Sequence, residues 1–101
     1  MIEIRRTEIF DRWLLKLRDP SAKARIQIRI DRLGRGLFGD VKDIGQGLSE
    51  LRIDHGPGYR VYLMRRGDVL LVLLCGGDKR TQDNDIKQAK TMADEWKRNY
   101  S

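Results

Sequence analysis

Four basic residues fall where neighbouring strands are predicted to run or end. Arg52 and Arg60 lie in successive strand segments, and Lys79-Arg80 follow the apolar run LLVLLC. Guanidinium groups bind phosphate oxygens with two donors, so such a set suits a phosphodiester. RNA can be cut through its own 2′-hydroxyl when a site removes that proton, stabilises the added negative charge and protonates the leaving 5′-oxygen. A tyrosine such as Tyr62, a histidine, a carboxylate or a crowded lysine can move those protons without metal, although cations on a sheet face also occur in proteins that only bind.

Other chemistries find less support. The segment GGDKRT at 76–81 is reminiscent of a phosphate loop, but it lacks the leading glycine and the spacing that such a loop needs. The glycine pair is therefore predicted to end the preceding strand. The chain has one histidine, His55, and one cysteine, Cys75, and neither belongs to a recognisable set of metal ligands. We expect no metal and no cofactor, and we predict that Cys75 is a small core residue.

The composition favours a compact basic protein. The 101 residues carry a formal net charge of +6, and 36% of them are charged. We predict a single domain over residues 1–101, with an acidic partner such as nucleic acid, an anionic membrane or an acidic protein. A basic domain without such a partner is the simpler alternative. No apolar run is long enough to span a bilayer and the N-terminus has no signal core, so we expect a cytoplasmic protein that does not enter membranes.

Apolar spacing predicts the order β-α-α-β-β-β-α, which is an α+β fold with a small, mostly antiparallel sheet packed against helices. Thr7 and Asp19-Pro20 have the residue types that begin helices. The stripe of the second helix is expected to extend to Leu37. The stretch 38–47 is glycine-spaced and is predicted to be irregular. The strands that follow are predicted over 48–54, 59–65 and 68–74, and the last helix carries the apolar positions Ile86, Ala89, Ala93, Trp96 and Tyr100.

The register of the first hairpin follows from its apolar face. If Leu51 and Ile53 share a face with Val61, then Leu51 lies opposite Val61. The same pairing sets Arg52 opposite Arg60, and it sets Glu50 opposite Tyr62. Two opposed arginines repel each other. Either the pair has a function or binds a neutralising ligand, or Glu50 and Asp54 on the same face balance it.

The chain as a whole resembles the RelE/ParE superfamily of bacterial toxins, and more specifically its HigB-type, phage-derived "addiction module killer protein" branch. The stretches ELRIDHGPGYRVYL at 50–63 and LLCGGDKRTQDNDI at 73–86 carry the resemblance, and EIRRTEIFDRWLLKLRD at 3–19 agrees with it. The resemblance implies a toxin of a type II toxin-antitoxin module that inhibits translation by ribosome-dependent mRNA cleavage through 2′-hydroxyl attack. It also implies two kinds of partner: the ribosome with its mRNA, and a helix-turn-helix antitoxin encoded nearby, through which alone the toxin would reach operator DNA.

The resemblance also implies roles for individual residues. Arg60 is expected to stabilise the transition state, Arg52 is the basic residue of the preceding strand, and Lys79 and Arg80 follow the last strand, with Arg80 assisting the leaving group. Proteins of the RelE type carry a tyrosine soon after that arginine, where this chain has Ile86. The candidates to replace it in proton transfer are His55, Asp78, Asp85 and Tyr62.

Contacts to RNA are expected from Arg65, Arg66 and Tyr62. Arg65 and Arg66 lie in a predicted turn, where they are solvated or contact ribosomal RNA phosphates. Two alternatives stay open for the whole chain. One is inhibition of DNA gyrase, as in the ParE branch, and the other is an inactive member of the fold that binds RNA or protein.

Overall fold

The computed structural model describes residues 1–100 and confirms the predicted α+β class. Three helices and a five-stranded sheet follow one another in the order β1 Glu3–Arg6, α1 Glu8–Lys16, α2 Pro20–Gly34, β2 Val41–Gly45, β3 Leu48–Ile53, β4 Tyr59–Arg66, β5 Leu70–Asp78 and α3 Gln82–Tyr100, with a 3-10 turn at Lys79–Thr81 before α3. Within residues 1–100, no helix is both long and apolar enough to cross a membrane.

Both predicted helix starts are confirmed. The Thr7 hydroxyl accepts a hydrogen bond from the backbone N–H of Phe10 at 3.1 Å. The Asp19 carboxylate accepts one from the N–H of Ser21 at 2.9 Å, and Pro20 occupies the first helical position. These caps satisfy N–H groups that have no partner inside a helix.

The sheet has the strand order β1-β5-β4-β3-β2. Strand β1 runs parallel to β5, and every other neighbouring pair is antiparallel. The prediction that 38–47 is irregular was wrong in part, because Val41–Gly45 pairs with β3 as an edge strand. This strand is short and interrupted by a bulge between Asp43 and Gly45, so it lacks the sustained alternation by which strands are recognised.

The predicted register of β3 and β4 is confirmed, with Leu51 opposite Val61 and Arg52 opposite Arg60. It gives the sheet two covered faces. One face packs against α1 and α2 around Phe10, Ile26 and Leu51. The other packs against α3 through Val72, Leu74, Ala89 and Ala93. Leu37 does not continue the stripe of α2, since it lies beyond Gly34 and is 57% exposed.

The glycine pair does not end the last strand, as had been predicted. Gly76 and Gly77 lie inside β5, opposite Val61 and Arg60. A Cβ on Gly76 would overlap the indole ring of Trp13, and a Cβ on Gly77 would overlap the Asp85 carboxylate. The two glycines therefore let α1 and the start of α3 approach opposite faces of the same strand.

Replacing Gly76 with alanine is expected to destabilise the fold by about 1–3 kcal/mol, the usual cost of forcing extra atoms into a packed region. Gly34→Ala is the matched control, because its Cβ would meet nothing closer than 3.8 Å. The control should be neutral or slightly stabilising, since alanine favours helix over glycine. Urea unfolding of both variants measures the difference, and equal midpoints would contradict the close packing of Trp13 on β5.

Candidate functional site

A polar cleft opens at one end of the sheet, where the β3–β4 turn, the entry to β2 and the 3-10 turn meet. It encloses about 350 Å³ and is lined by Asp40, Arg52, Asp54, Gly56, Pro57, Gly58, Arg60 and Lys79. We call it the β3–β4 cleft. Three of the predicted site residues, Arg52, Arg60 and Lys79, are brought together here.

The backbone explains how these three cations converge. Arg52 and Arg60 lie opposite each other on β3 and β4, so their side chains share one face of the sheet. Gly58 has a positive φ of 81°, and a Cβ there would lie 3.4 Å from Nη1 of Arg60 and 3.6 Å from Cβ of Lys79. Glycine thus gives the turn its shape and leaves space for both neighbours.

The guanidinium of Arg60 lies beside a buried carboxylate. Its side chain is only 12% exposed, and its Nε lies 3.6 Å from Oε1 of Glu50, whose side chain is 1% exposed. The other oxygen of Glu50 accepts a hydrogen bond of 2.7 Å from the amide of Gln82, the first residue of α3. Glu50 therefore balances Arg60, as one of the two sequence-based alternatives proposed.

Arg52 is balanced by a different residue from the one predicted. Two of its guanidinium nitrogens, Nε and Nη2, donate to Oδ1 of Asp40 at 3.1 and 2.8 Å. Asp54 lines the cleft but forms no ion pair within residues 1–100. Asp40 was missed because it precedes the unpredicted strand β2, whose pairing with β3 brings this carboxylate beside Arg52.

The two cations after β5 have different surroundings. Lys79 lines the cleft, and no carboxylate among residues 1–100 comes within 4.0 Å of its ammonium. Arg80 does not line the cleft and pairs with Asp78 at 2.9 Å, with its side chain 80% exposed. The hydrogen bond from Arg80 lowers the pKa of Asp78. The structure thus places Lys79, but not Arg80, with Arg52 and Arg60.

The predicted proton-transfer residues do not line the cleft. The imidazole of His55 lies 3.1 Å from the carboxylate of Asp19, the cap of α2, and this hydrogen bond lowers the pKa of Asp19. Tyr62 is fully buried under α3, where desolvation raises its pKa. The prediction that Tyr62 contacts RNA is therefore wrong for this structure. In a sheet that is covered on one face, every second residue of a strand is exposed to solvent. Both faces of β4 are covered, so this alternation does not expose Tyr62.

Asp85 lies in the first turn of α3. Its carboxylate covers Gly77, the residue opposite Arg60, and accepts a hydrogen bond of 2.5 Å from the hydroxyl of Thr81. Desolvation is the main cause that raises the pKa of Asp85, and the charge of Asp78 adds to it, against the hydrogen bond from Thr81. Cys75 is buried beside it, as predicted, and burial raises the pKa of its thiol to about 12.

Arg65 and Arg66 lie at the far end of β4, about 17 and 20 Å along the strand from Arg60 at the usual rise per residue. The guanidinium of Arg65 lies 5.5 Å from the ring centre of Phe38, and that of Arg66 lies 5.7 Å from the ring centre of Trp96. Neither residue lines the β3–β4 cleft.

A larger depression of about 700 Å³ lies between α1 and α2, and Leu14, Leu15 and Ala24 form its apolar part. None of the predicted site residues lines it. We place the candidate site at the β3–β4 cleft because three cations converge on it and can bind an anion through charge-assisted hydrogen bonds, whereas volume alone supplies no such chemistry. In the described part of the chain, residues 1–100, no group of three or more His, Cys, Asp or Glu is placed to hold a metal ion.

Comparison with known proteins gives one close relative. An uncharacterized protein of Haemophilus influenzae is 58% identical to the chain over 94 residues, which cover 93% of this chain and 95% of the relative. The chain belongs to the family of that protein. No protein-family model matches the sequence.

The Glu50–Arg60 pair makes a testable prediction about stability. Arg60→Met leaves a buried carboxylate without its cation, which should cost about 3 kcal/mol of the free energy of unfolding. The double variant Glu50→Gln/Arg60→Met removes both charges, and Gln can still accept from Gln82, so most of that loss should be regained. Denaturant unfolding near neutral pH of Glu50→Gln, Arg60→Met and the double variant measures the cycle. A loss in the double variant equal to the sum of the two single losses would show that the two groups are not coupled.

Asp85 makes a prediction about pH. The pKa of Asp85 is higher in the folded protein than its ordinary value of 3.8, so the ionised carboxylate lowers the free energy of unfolding. This loss of stability disappears as the pH falls through the folded pKa towards 3.8. Asp85→Asn should therefore stabilise the protein near neutral pH, and the gain should shrink in acid. Asp83→Asn, an exposed carboxylate in the same turn, should be neutral or slightly destabilising, because negative charge favours a helix N-terminus. Thermal unfolding across pH distinguishes them, and a gain that persists in acid would contradict the assignment.

Proposed function

We propose that this protein is the toxin of a type II toxin-antitoxin module and acts in the cytoplasm by cutting mRNA on the ribosome without a metal ion. The observation that carries the proposal is the convergence of Arg52, Arg60 and Lys79 on the β3–β4 cleft. The similarity of residues 48–90 to toxins of the RelE/ParE superfamily supports it. A helix-turn-helix antitoxin is the expected neutralising partner.

The cleft has groups for holding a phosphate and stabilising its transition state. Arg60 is already held by Glu50 and by the carbonyl of Tyr59, to which Nη1 donates at 3.2 Å. Its position therefore needs little further ordering when a phosphate binds, and preorganised charge of this kind stabilises a transition state that gains negative charge. Arg52, held by Asp40, supplies a second guanidinium from the neighbouring strand, on the same face of the sheet.

We assign proton transfer to two residues of the cleft lining. Asp54 is a lining carboxylate with no ion pair in residues 1–100, and it accepts the proton of the 2′-hydroxyl as that oxygen attacks phosphorus. The bond from phosphorus to the 5′-oxygen then breaks, and the Lys79 ammonium protonates the leaving oxygen. The products are a cyclic 2′,3′-phosphate and a free 5′-hydroxyl, so protons and bonds balance without another reactant.

The test is primer extension on mRNA from translating ribosomes incubated with the purified protein. Wild type should create new mRNA ends, and Glu50→Gln/Arg60→Met should lower the cleavage rate about 100-fold or more, which is typical for losing one charge-stabilising group. Asp54→Asn and Lys79→Gln should also lower it. Arg98→Gln, a cation at the distant end of α3, is the control for lost charge and should cleave normally.

An absence of new ends with wild-type protein would contradict the proposal. Equal losses in Arg98→Gln and the cleft variants would contradict the assignment of the cleft. The double variant is used at Arg60 because it separates loss of the cation from loss of stability.

A second candidate is an inhibitor that binds without cutting, and one observation favours it. His55 is hydrogen-bonded to Asp19, and Tyr62 is buried, so two side chains that could transfer protons do not line the cleft. This candidate predicts growth arrest without new mRNA ends. A DNA supercoiling assay with gyrase then separates a gyrase inhibitor from a protein that only binds ribosomes.

A further inference from the structure

The excess positive charge of the chain does not lie at the cleft. Three cations and two carboxylates line the β3–β4 cleft, so its lining has a net charge of about +1. Residues 20–35, by contrast, contain five cations and one carboxylate, which gives +4 of the total of +6. This excess belongs to α2 and the residue that follows it, and the cleft chemistry does not use it.

Three of these cations form a row on one side of α2. Arg25, Arg29 and Arg32 are spaced as i, i+4 and i+7, which places them on one face of a helix. They surround a depression of about 320 Å³ together with Ile28, Ile53 and Asp54. We call these three residues the α2 arginine row.

The row is rigid at its centre and uncompensated at its ends. Arg29 donates hydrogen bonds to the backbone carbonyls of Arg52, Phe38 and Asp40 at 2.6, 3.1 and 3.2 Å. No carboxylate among residues 1–100 lies within 4.0 Å of the guanidinium of Arg25 or Arg32. Desolvation is the main cause that lowers the pKa of Arg29. The charge of Asp40 opposes this effect, and the charge of Arg32 adds to it, so the guanidinium groups of Arg29 and Arg32 are close enough to repel each other. Like charges held together in this way favour binding of an anion.

The row is continuous with the cleft. Asp54 lines both depressions, and Arg29 of the row donates to the carbonyl of Arg52, a residue of the cleft. We propose that the α2 arginine row binds phosphates of the same single-stranded RNA whose scissile phosphate lies in the β3–β4 cleft. The choice of RNA rests on the proposed function. It is favoured over an acidic protein segment because one polyanion can occupy both depressions and because guanidinium groups bind phosphate with two donors.

The row contacts the sugar-phosphate backbone, so its contribution is independent of base sequence. It also explains why the cleft itself can have a low net charge. The cleft orients one phosphate, and the row supplies the long-range attraction that salt weakens.

The experiment measures binding of a single-stranded 2′-O-methyl RNA oligonucleotide by fluorescence anisotropy at several salt concentrations. This probe lacks the free 2′-hydroxyl, so it cannot be cut by the proposed reaction. Arg25→Gln/Arg32→Gln removes the two uncompensated cations and keeps Arg29, whose hydrogen bonds support the β2–β3 region. The matched control is Arg5→Gln/Arg12→Gln, which removes the same charge from two arginines that are already paired with Glu3 and Glu8.

The row variant should reduce the slope of log affinity against log salt by about 1.4, which corresponds to two lost phosphate contacts, and should weaken binding about tenfold at low salt. The control should leave both quantities close to wild type. Equal weakening in both variants, or none in the row variant, would overturn the proposal. A third outcome is that wild type binds polyglutamate but not the RNA probe, and that the row variant loses the binding of polyglutamate. This outcome would overturn the proposal in favour of an acidic protein partner.

Because the readout is binding of an uncleavable strand, it separates the two proposals. Loss of binding in the row variant together with no cleavage by wild type on ribosomes would retain the row as an RNA surface and reject the nuclease. Cleavage by wild type with unchanged binding in the row variant would retain the nuclease and reject the row.

Discussion

The carboxylate of Glu50 is buried beneath the first turn of α3, and the arrangement of the cleft depends on it. A carboxylate at this depth needs a nearby cation and hydrogen-bond donors. Arg60 supplies the cation from the opposing strand, and Gln82 supplies a donor from α3. One buried group therefore links the sheet, the last helix and the cleft, and the position of Arg60 follows from how that group is satisfied.

This polar cluster is not fully satisfied. Glu50 Oε1, Arg60 Nε and the Tyr62 hydroxyl are buried and have no hydrogen-bond partner within residues 1–100. Unmet polar groups of this kind cost stability, and a protein commonly tolerates that cost where the group is also needed for function. Arg60 fits this description because its Nη1 side adjoins Gly58 in the cleft lining while its Nε side faces Glu50. One side of the guanidinium thus pairs with a buried carboxylate of the fold, and the other side lines the cleft.

The elements that sequence reasoning predicts well are those set by short-range rules. The caps at Thr7 and Asp19 follow from side-chain chemistry, and the β3–β4 register follows from the period of the apolar residues. The errors come from contacts between distant segments. Gly76 and Gly77 look like a strand end until Trp13 and Asp85 are seen to pack on them, and Tyr62 looks accessible until α3 covers its face of the sheet. Asp40 becomes a partner of Arg52 only through an edge strand whose own pattern is too short to recognise.

Internal pairing also makes the cleft differ in its electrostatics from the α2 arginine row. Arg52 and Arg60 each face a carboxylate of their own chain, so their charges are fixed in direction and largely compensated at long range. Such groups orient a phosphate at short distance but attract a polyanion weakly from solution. Arg25 and Arg32 have no such partner in the described residues, so their field extends further into solvent. A surface that separates attraction from orientation can bind an RNA strand along its backbone while exposing only one phosphate to the groups that are held in a fixed geometry.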